Sequence, residues 1–349
     1  MKPFADPPAL FPVTGPVHGP IDMIPATRDL TGRGAAAWEI MSRLPITEGE
    51  HAGKLIGENS PPWQEKLTRL IFGHVDAEGY RLLREIFVNM SKKNGKTAFA
   101  AALALTKLLL DEEQREQVVL IAATREQARI CFNAAAAIVR ADAELGDRFQ
   151  ITEHRSTIAY PATSSRVTAV AAELAATVGF NPSLAIVDEL HLLGGTPRGH
   201  KLVNQARTAA VGRRQPLLLS ISTAPLDRAE GIFGSTLSKA RRVIAGDEID
   251  PRFFGWLCAI PPGLDPELPE NWFWSNPSLG YTVSLEALRA GLERPDGAPR
   301  FPIAEFEHQP RGKRWRRSLA FACRMGHRRR RQSDARGADR RMPVRLHRC

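Results

Sequence analysis

The sequence predicts an α/β fold in which a mostly parallel sheet is flanked by helices. Three observations support this prediction. Short apolar runs alternate with longer segments of helical periodicity, which is typical of βαβ units. One apolar run ends in a polar turn that opens directly into a helix, and another ends in two adjacent carboxylates. A chain of 349 residues with 43% hydrophobic content can bury one large core with appendages.

The N-terminal part, residues 1–60, is predicted to be a Pro-rich arm followed by a short helix at about 35–44. An amphipathic helix with a proline start follows at 61–73, because proline is tolerated in the first turn of a helix. The predicted strands are 86–90, 118–122, 167–171, 184–188 and 217–222. The predicted helices are 97–110, 125–141, 200–210 and 229–245.

The first segment that indicates a ligand-binding site is Glu85-Ile-Phe-Val-Asn-Met-Ser-Lys-Lys-Asn-Gly-Lys-Thr97. A strand, a tight turn and a helix suit a phosphate-binding loop, because the turn amides and the helix N-terminus direct positive charge at one place. Lys96 would reach the β and γ phosphates, and Thr97 would supply a hydroxyl to Mg²⁺. Met90 replaces the first glycine of the usual G-x-x-x-x-G-K-[ST] pattern. Gly-Lys-Thr alone is also common on solvated turns, so a second site is needed.

That second site is Leu184-Ala-Ile-Val-Asp-Glu-Leu-His191, an apolar strand that ends in two carboxylates. Asp188 can hold the Mg²⁺ shell while Glu189 orients and deprotonates the attacking water. The alternative is that both carboxylates only cap a following helix. The two motifs in this order predict nucleotide hydrolysis by a P-loop NTPase with a RecA/ASCE-like sheet, plus a small linker or lid region.

The net charge of +10 is concentrated at the C-terminal end. Residues 311–349 contain fourteen Arg and one Lys against two Asp, so residues 1–310 carry a slight negative charge. This segment has almost no periodic apolar pattern and is predicted to be disordered. It is either a nucleic-acid-binding arm or an out-of-frame C-terminus, and the abrupt change in composition favours the second interpretation.

The organisation predicted from these patterns has four parts. They are the arm and helix at 1–60, the P-loop ATPase domain at 61–245, a linker or lid at 246–310 and the basic tail at 311–349. No apolar run reaches eighteen residues and the N-terminus lacks a signal pattern, so no membrane partner is expected. The four scattered cysteines predict neither a zinc site nor a disulfide framework.

An ordered set of motifs resembles the ATPase half of the large terminase subunit of tailed bacteriophages, in the branch with HK97-like capsids. The resemblance covers about residues 61–277. The segment Asn271-Trp-Phe-Trp-Ser-Asn-Pro-Ser-Leu-Gly280, which overlaps the end of this range, is similar to the family's junction after the ATPase. The motifs are Trp63-Gln64, Gly79-Tyr-Arg81, Ser91-Lys-Lys-Asn-Gly-Lys-Thr97, Ala123-Thr-Arg-Glu-Gln-Ala128, Val187-Asp-Glu-Leu-His191 and Ser222-Thr-Ala-Pro225.

The resemblance implies ATP and Mg²⁺ as ligands. Gln64 would hydrogen-bond adenine through its amide. Ser222 and Thr223 would sense the γ phosphate and transmit hydrolysis to a moving subdomain. Lys92 becomes a phosphate-contacting switch residue that acts in catalysis beside Lys96 and Glu189. The residues implied to cradle the phosphates are Ser91, Lys93, Asn94, Gly95, Lys96 and Thr97, with Thr97 and Asp188 on the metal.

The resemblance also implies a function and partners. The implied function is translocation of double-stranded DNA into a procapsid by an oligomeric ring in the bacterial cytoplasm. The implied partners are a portal protein, on which the ring docks, and a small terminase subunit, which delivers the DNA. The acidic cluster of the family's nuclease has no counterpart after Glu307, where only Asp334 and Asp339 occur, so nuclease activity is predicted to be absent. Residues 246–310 would then contain the linker or lid and the remnant start of a nuclease domain. Two alternatives stay open: a helicase-like nucleic-acid-remodelling ATPase, and an inactive prophage remnant.

Overall fold

The computed structural model describes residues 19–292, except for 26, 28, 77, 112, 173–180, 194–196, 210–212, 224–230 and 262. Within these residues, eight strands form one sheet in the order β3-β4-β5-β2-β6-β7-β1-β8. The strands are β1 Glu85–Asn89, β2 Gln117–Ala122, β3 Gln150–Thr152, β4 Thr157–Tyr160, β5 Ser165–Ala171, β6 Leu184–Asp188, β7 Leu217–Ser222 and β8 Phe253–Leu257.

Six strands from β5 to β8 run parallel, and the β3–β4 hairpin adds two antiparallel strands at one edge. Strand β7 lies between β6 and β1, with Asn89 opposite Ser222 and Asp188 opposite Ile221. Because the carboxyl ends of parallel strands meet at one edge, the residues that follow β1, β6 and β7 are brought together there.

The helices cover both faces of the sheet. They are α1 Arg33–Ser42, α2 Ile56–Asn59, α3 Pro62–Gly73, α4 Lys96–Asp111, α5 Arg125–Ala141, α6 Ala143–Arg148, α7 Leu190–Leu193, α8 Pro197–Ala209, α9 Gly231–Ala245 and α10 Leu285–Leu292. Short 3₁₀ turns occur at Pro20–Met23, Glu153–Arg155, Pro161–Thr163 and Pro269–Trp274. None of the helices in the described part of the chain is long and apolar enough to cross a membrane.

Helix α4 lies at the centre of the larger core, between the sheet and helices α1 and α5. Its apolar residues are almost all inaccessible to solvent, as are Trp63 of α3 and Trp256 of β8. Trp63 packs against Phe99 with ring centroids 4.9 Å apart and against Trp256 at 5.5 Å. Trp63 is therefore a core anchor that fixes α3 beside the phosphate-binding loop.

A buried group of charges holds the C-terminal end of α4. Lys107 forms salt bridges with Asp111 and Glu116, and Asp111 also contacts Arg33 of α1. Lys107 and Glu116 are each only 1% exposed. Removal of one partner would leave a buried charge without compensation, so this group fixes the end of α4 to its neighbours.

The α/β fold and its mostly parallel sheet confirm the prediction from the sequence, and helix α5 has the predicted bounds. Two parts of the sheet were not predicted. The β3–β4 hairpin extends one edge, and β8 pairs with β1 although the sequence analysis placed that stretch in a linker or lid. The 311–349 tail and the start of the helix predicted at 229 lie outside the described residues.

Candidate nucleotide-binding site

The phosphate-binding loop joins the end of β1 to the start of α4. Lys93 and Gly95 have left-handed backbones, with φ values of 69° and 76°. Such angles are rare for residues with a side chain, so Lys93 is held in a conformation that its surroundings must support. A Cβ at Gly95 would lie 3.6 Å from Gln64 Nε2 and 3.7 Å from Thr282 Cγ2. The loop is thus enclosed between α3 and the segment before α10.

Lys96 lies beneath the loop rather than on a solvated turn. Its side chain is buried, and Nζ donates to the carbonyl oxygens of Ser91 at 2.9 Å and Met90 at 3.3 Å. Burial lowers the pKa of Lys96, while the carboxylates of Glu189 and Asp188 oppose this shift. The alternative of a freely solvated Gly-Lys-Thr turn does not fit this arrangement.

Thr97 and Asp188 meet at the edge of the sheet. Thr97 Oγ1 lies 3.3 Å from Asp188 Oδ2, which also accepts from Cys131 Sγ at 3.1 Å. The other oxygen, Oδ1, is buried and has no hydrogen-bond partner among the described residues. Burial and the charge of Glu189 raise the pKa of Asp188. An orphaned carboxylate oxygen beside a hydroxyl suits a hard cation, so Thr97 and Asp188 fit the predicted Mg²⁺.

Glu189 follows directly with a left-handed backbone at φ 51°. Its Oε2 accepts from the Thr223 amide at 3.0 Å and from the Thr223 hydroxyl at 2.6 Å, and lies 3.2 Å from His191 Nδ1. Burial acts to raise the pKa of Glu189, but His191, Lys96 and Thr223 together lower it to about 2. Glu189 is therefore an anion near neutral pH and can accept a hydrogen bond from water.

Ser222 belongs to the same group of contacts as Glu189. Its Oγ accepts from the His191 amide at 3.1 Å and lies 3.0 Å from His191 Nδ1. The hydroxyl also donates to the Thr223 carbonyl at 3.1 Å. The end of β7 is thus connected through His191 and Thr223 to the carboxylate expected to act on water.

A cleft of about 1590 Å³ opens at this edge of the sheet, larger than the roughly 300–1000 Å³ of most small-molecule sites. The exposed Lys92 and Lys93 lie at its rim, and Gln64 lines it. Gln64 is largely buried and lines the cleft. A side-chain amide in the wall of a cleft can donate to and accept from the polar edge of a ligand.

The remaining predicted residues divide into two groups. The Ser91 carbonyl and Gly95 belong to the loop that surrounds Lys96, whereas the Asn94 side chain turns away to bond Asn276 Oδ1 and the Ser278 amide. Asn94 can thus offer a phosphate its backbone amide rather than its side chain. Arg213 lies outside this loop and binds Glu113 and two backbone carbonyls.

Sequence reasoning did not identify Cys131 as a contact of Asp188, since a single cysteine in a helix carries no motif. It also did not assign a role to the side chains of Asn276, Ser278 and Thr282, although the first two lie in the segment that resembles the family's junction. Their partners in the phosphate-binding loop lie more than 180 residues away in the chain.

Comparison with known proteins identifies this arrangement. The profile of the terminase large subunit ATPase domain matches residues 62–241. The "Terminase, large subunit" of Enterobacteria phage HK97 is 28% identical over 256 residues, which are 71% of this chain and 47% of that protein. The crystal structure of the HK97 bacteriophage large terminase superposes with a TM-score of 0.64 at 25% identity, covering 78% of this chain and 53% of the other.

The ATPase domain of the large terminase of Thermus phage P74-26 is also similar, with a TM-score of 0.36, 17% identity and coverage of 51% and 76% of the two chains. The chain spans about half the length of its HK97 relatives. The residues matched by the family profile include the phosphate-binding loop and both carboxylates, Asp188 at the end of β6 and Glu189 directly after it. The resemblance predicted from the motifs is confirmed, and the chain belongs to the family of terminase large subunit ATPase domains.

Proposed function

We propose that this chain hydrolyses ATP as the motor part of a phage DNA-packaging terminase and moves double-stranded DNA into a procapsid. The family implies ATP hydrolysis. The observation that carries the proposal is the meeting of Lys96, Thr97, Asp188 and Glu189 at one edge of the sheet. A protein that only binds a nucleotide has no need of the second carboxylate.

The residues divide the work of hydrolysis. Lys96 would exchange the carbonyls of Met90 and Ser91 for phosphate oxygens, and the exposed Lys92 would approach the same phosphates from the rim. Thr97 and Asp188 would hold Mg²⁺, which neutralises phosphate charge when bound. Glu189 would orient water and take its proton. Since Thr223 also binds Glu189, movement of the β7 end would change the position of the base.

The partners are part of the proposal. By family membership we infer a homo-oligomeric ring in the host cytoplasm that acts on double-stranded DNA with a portal protein, a procapsid and a small terminase subunit. The prediction that these 349 residues lack nuclease activity remains untested, because the region after residue 292 lies outside the described residues.

The proposal is tested by phosphate release from ATP. We expect turnover with Mg²⁺ and loss of turnover when EDTA removes the metal, because the β and γ phosphates then lack their cation. DNA protected from nuclease in the presence of ATP and portal-bearing procapsids tests the motor role. Absence of ATP binding would contradict the ATPase proposal, whereas hydrolysis without protected DNA would contradict only the motor role of this chain.

A separate prediction concerns the base. Replacing Gln64 by Ala should reduce the preference for ATP over GTP, because an amide that pairs with adenine leaves guanine with mismatched donors and acceptors. The preference should correspond to about 1–3 kcal/mol, the cost of one buried unsatisfied polar group. Competition between the two nucleotides measures it. If the unchanged protein shows no preference, or if Gln64→Ala keeps it, Gln64 does not recognise the base.

A further inference from the structure

The segment of residues 275–282, here called the brace, lies directly against the phosphate-binding loop. The Ser275 carbonyl accepts from the Ser91 amide at 3.2 Å. The Ser278 hydroxyl donates to the Asn94 carbonyl at 2.9 Å, and the Thr282 hydroxyl donates to the Lys93 carbonyl at 2.8 Å. The brace therefore contacts the loop at three separate backbone positions.

Asn94 is the buried centre of this contact. Its side-chain oxygen accepts from the Ser278 amide at 3.0 Å, and Nδ2 donates to Asn276 Oδ1 and to the Ser91 carbonyl, each at 3.1 Å. Asn94 and Ser278 are 0% exposed. In this geometry the Asn94 amide group is used within the protein, and buried polar groups of this kind are costly to leave unpaired.

The brace also reaches the helix that carries Gln64. Trp63 Nε1 donates to Ser278 Oγ at 2.8 Å, and this hydroxyl is the same one that donates to the Asn94 carbonyl. One buried side chain in the brace thus connects α3 with the phosphate-binding loop. Ser278 therefore fixes α3, which is expected to contact the base, relative to the loop that is expected to hold the phosphates.

We propose that the brace holds the phosphate-binding loop in its phosphate-accepting shape, with Asn276, Ser278 and Thr282 as positioning residues for ATP. The inference rests on the proposed function, since it assumes that this loop binds ATP. The left-handed backbone of Lys93 is the reason that support is needed, because this conformation is unfavourable for a residue with a side chain and a loop free to leave it would change shape.

The effect of the brace on ATP binding is reciprocal. If the docked brace favours ATP binding, then bound ATP must favour docking of the brace by the same factor. Residues 275–282 precede α10, so the nucleotide state of the loop would be conveyed to the chain that follows the ATPase domain.

Thr282 gives a test that does not disturb the core, because its side chain is exposed. Thr282→Val removes the hydroxyl and nearly keeps the shape. We expect the Kd for ATP to rise about three- to tenfold, as for loss of one hydrogen bond, while kcat at saturating ATP changes less than the Kd. Thr282→Ser keeps the hydroxyl and should restore the parent Kd.

Thr157→Val is the matched control, since Thr157 makes the same type of side-chain bond, to the Arg155 carbonyl at 3.1 Å, in the hairpin at the far part of the sheet. It should leave the Kd unchanged. If the parent protein binds ATP and Thr282→Val has the same Kd, the proposed role of the brace is wrong.

Hydrogen–deuterium exchange separates this proposal from the proposed function. Without ATP, amides 91–95 should exchange faster in Thr282→Val and in Ser278→Ala than in the parent and in Thr157→Val. If amides 91–95 exchange at the parent rate in both variants, the proposed role of the brace is wrong whether or not ATP binds. Failure of the unchanged protein to bind ATP would instead overturn the proposed ATPase function, and the ligand-free exchange would still decide the structural role of the brace.

Discussion

Replacing Glu189 by Gln is expected to leave ATP binding nearly intact and to lower kcat about 10²–10⁴-fold, the usual contribution of a general base. Glutamine keeps the shape and the contact with Thr223 but cannot accept a proton from water. The pKa of Glu189, lowered to about 2, means that the parent carboxylate is already ionised at neutral pH. Single-turnover hydrolysis and equilibrium binding measure the two effects separately.

Glu39→Gln provides the control for this change. Glu39 forms an exposed ion pair with Arg43 on α1, and its side chain is 65% exposed, so both kcat and ATP affinity should remain at parent values. Equal hydrolysis by Glu189→Gln and the parent would contradict the role of Glu189 as the base.

Replacing Lys96 by Ala is expected to weaken ATP binding about 10- to 100-fold and to remove measurable turnover. The estimate corresponds to loss of a hydrogen bond to a charged group, about 1.5–3 kcal/mol. The buried ammonium group is the cation that the loop directs toward the phosphates, and it has no substitute in alanine. Binding of ATP measured by calorimetry, together with phosphate release, tests both parts.

Lys66→Ala is the matched change on the surface. Lys66 pairs with Asp22 at 3.4 Å and is 45% exposed, so its removal should affect neither binding nor turnover. ATP affinity in Lys96→Ala within twofold of the parent would show that Lys96 does not contact the phosphates.

The sequence was sufficient for the centre of the fold. Strands β1, β6 and β7 are mostly apolar, which is the pattern of buried parallel strands, and polar residues occur within two positions after each strand end. The pairing of Thr97 with Asp188 could be predicted because a phosphate-binding loop and a carboxylate at the end of another parallel strand of the same sheet meet at the same edge.

The remaining features depend on long-range contacts that a local pattern does not encode. Strand β8 follows a Pro- and Asp-rich stretch, yet Trp256 completes the core beside Trp63 and Phe99. The contact of Cys131 with Asp188 joins α5 to β6, and a helix interior contains no signal for it. The hydrogen bonds of the brace likewise connect two polar turns that could each have faced solvent.

The ion cluster of Lys107, Asp111 and Glu116 has a mechanical consequence. Helix α4 is fixed at its C-terminal end, because Lys107 and Asp111 lie on its last turns. Lys107 binds Glu116, and Asp111 binds Arg33 of α1. Axial sliding of α4 would separate these buried charges, so we expect the helix to resist it when force acts at the phosphate-binding loop. If the chain acts as the proposed motor, we expect the movement that follows hydrolysis at the ends of β6 and β7, near Glu189 and Thr223.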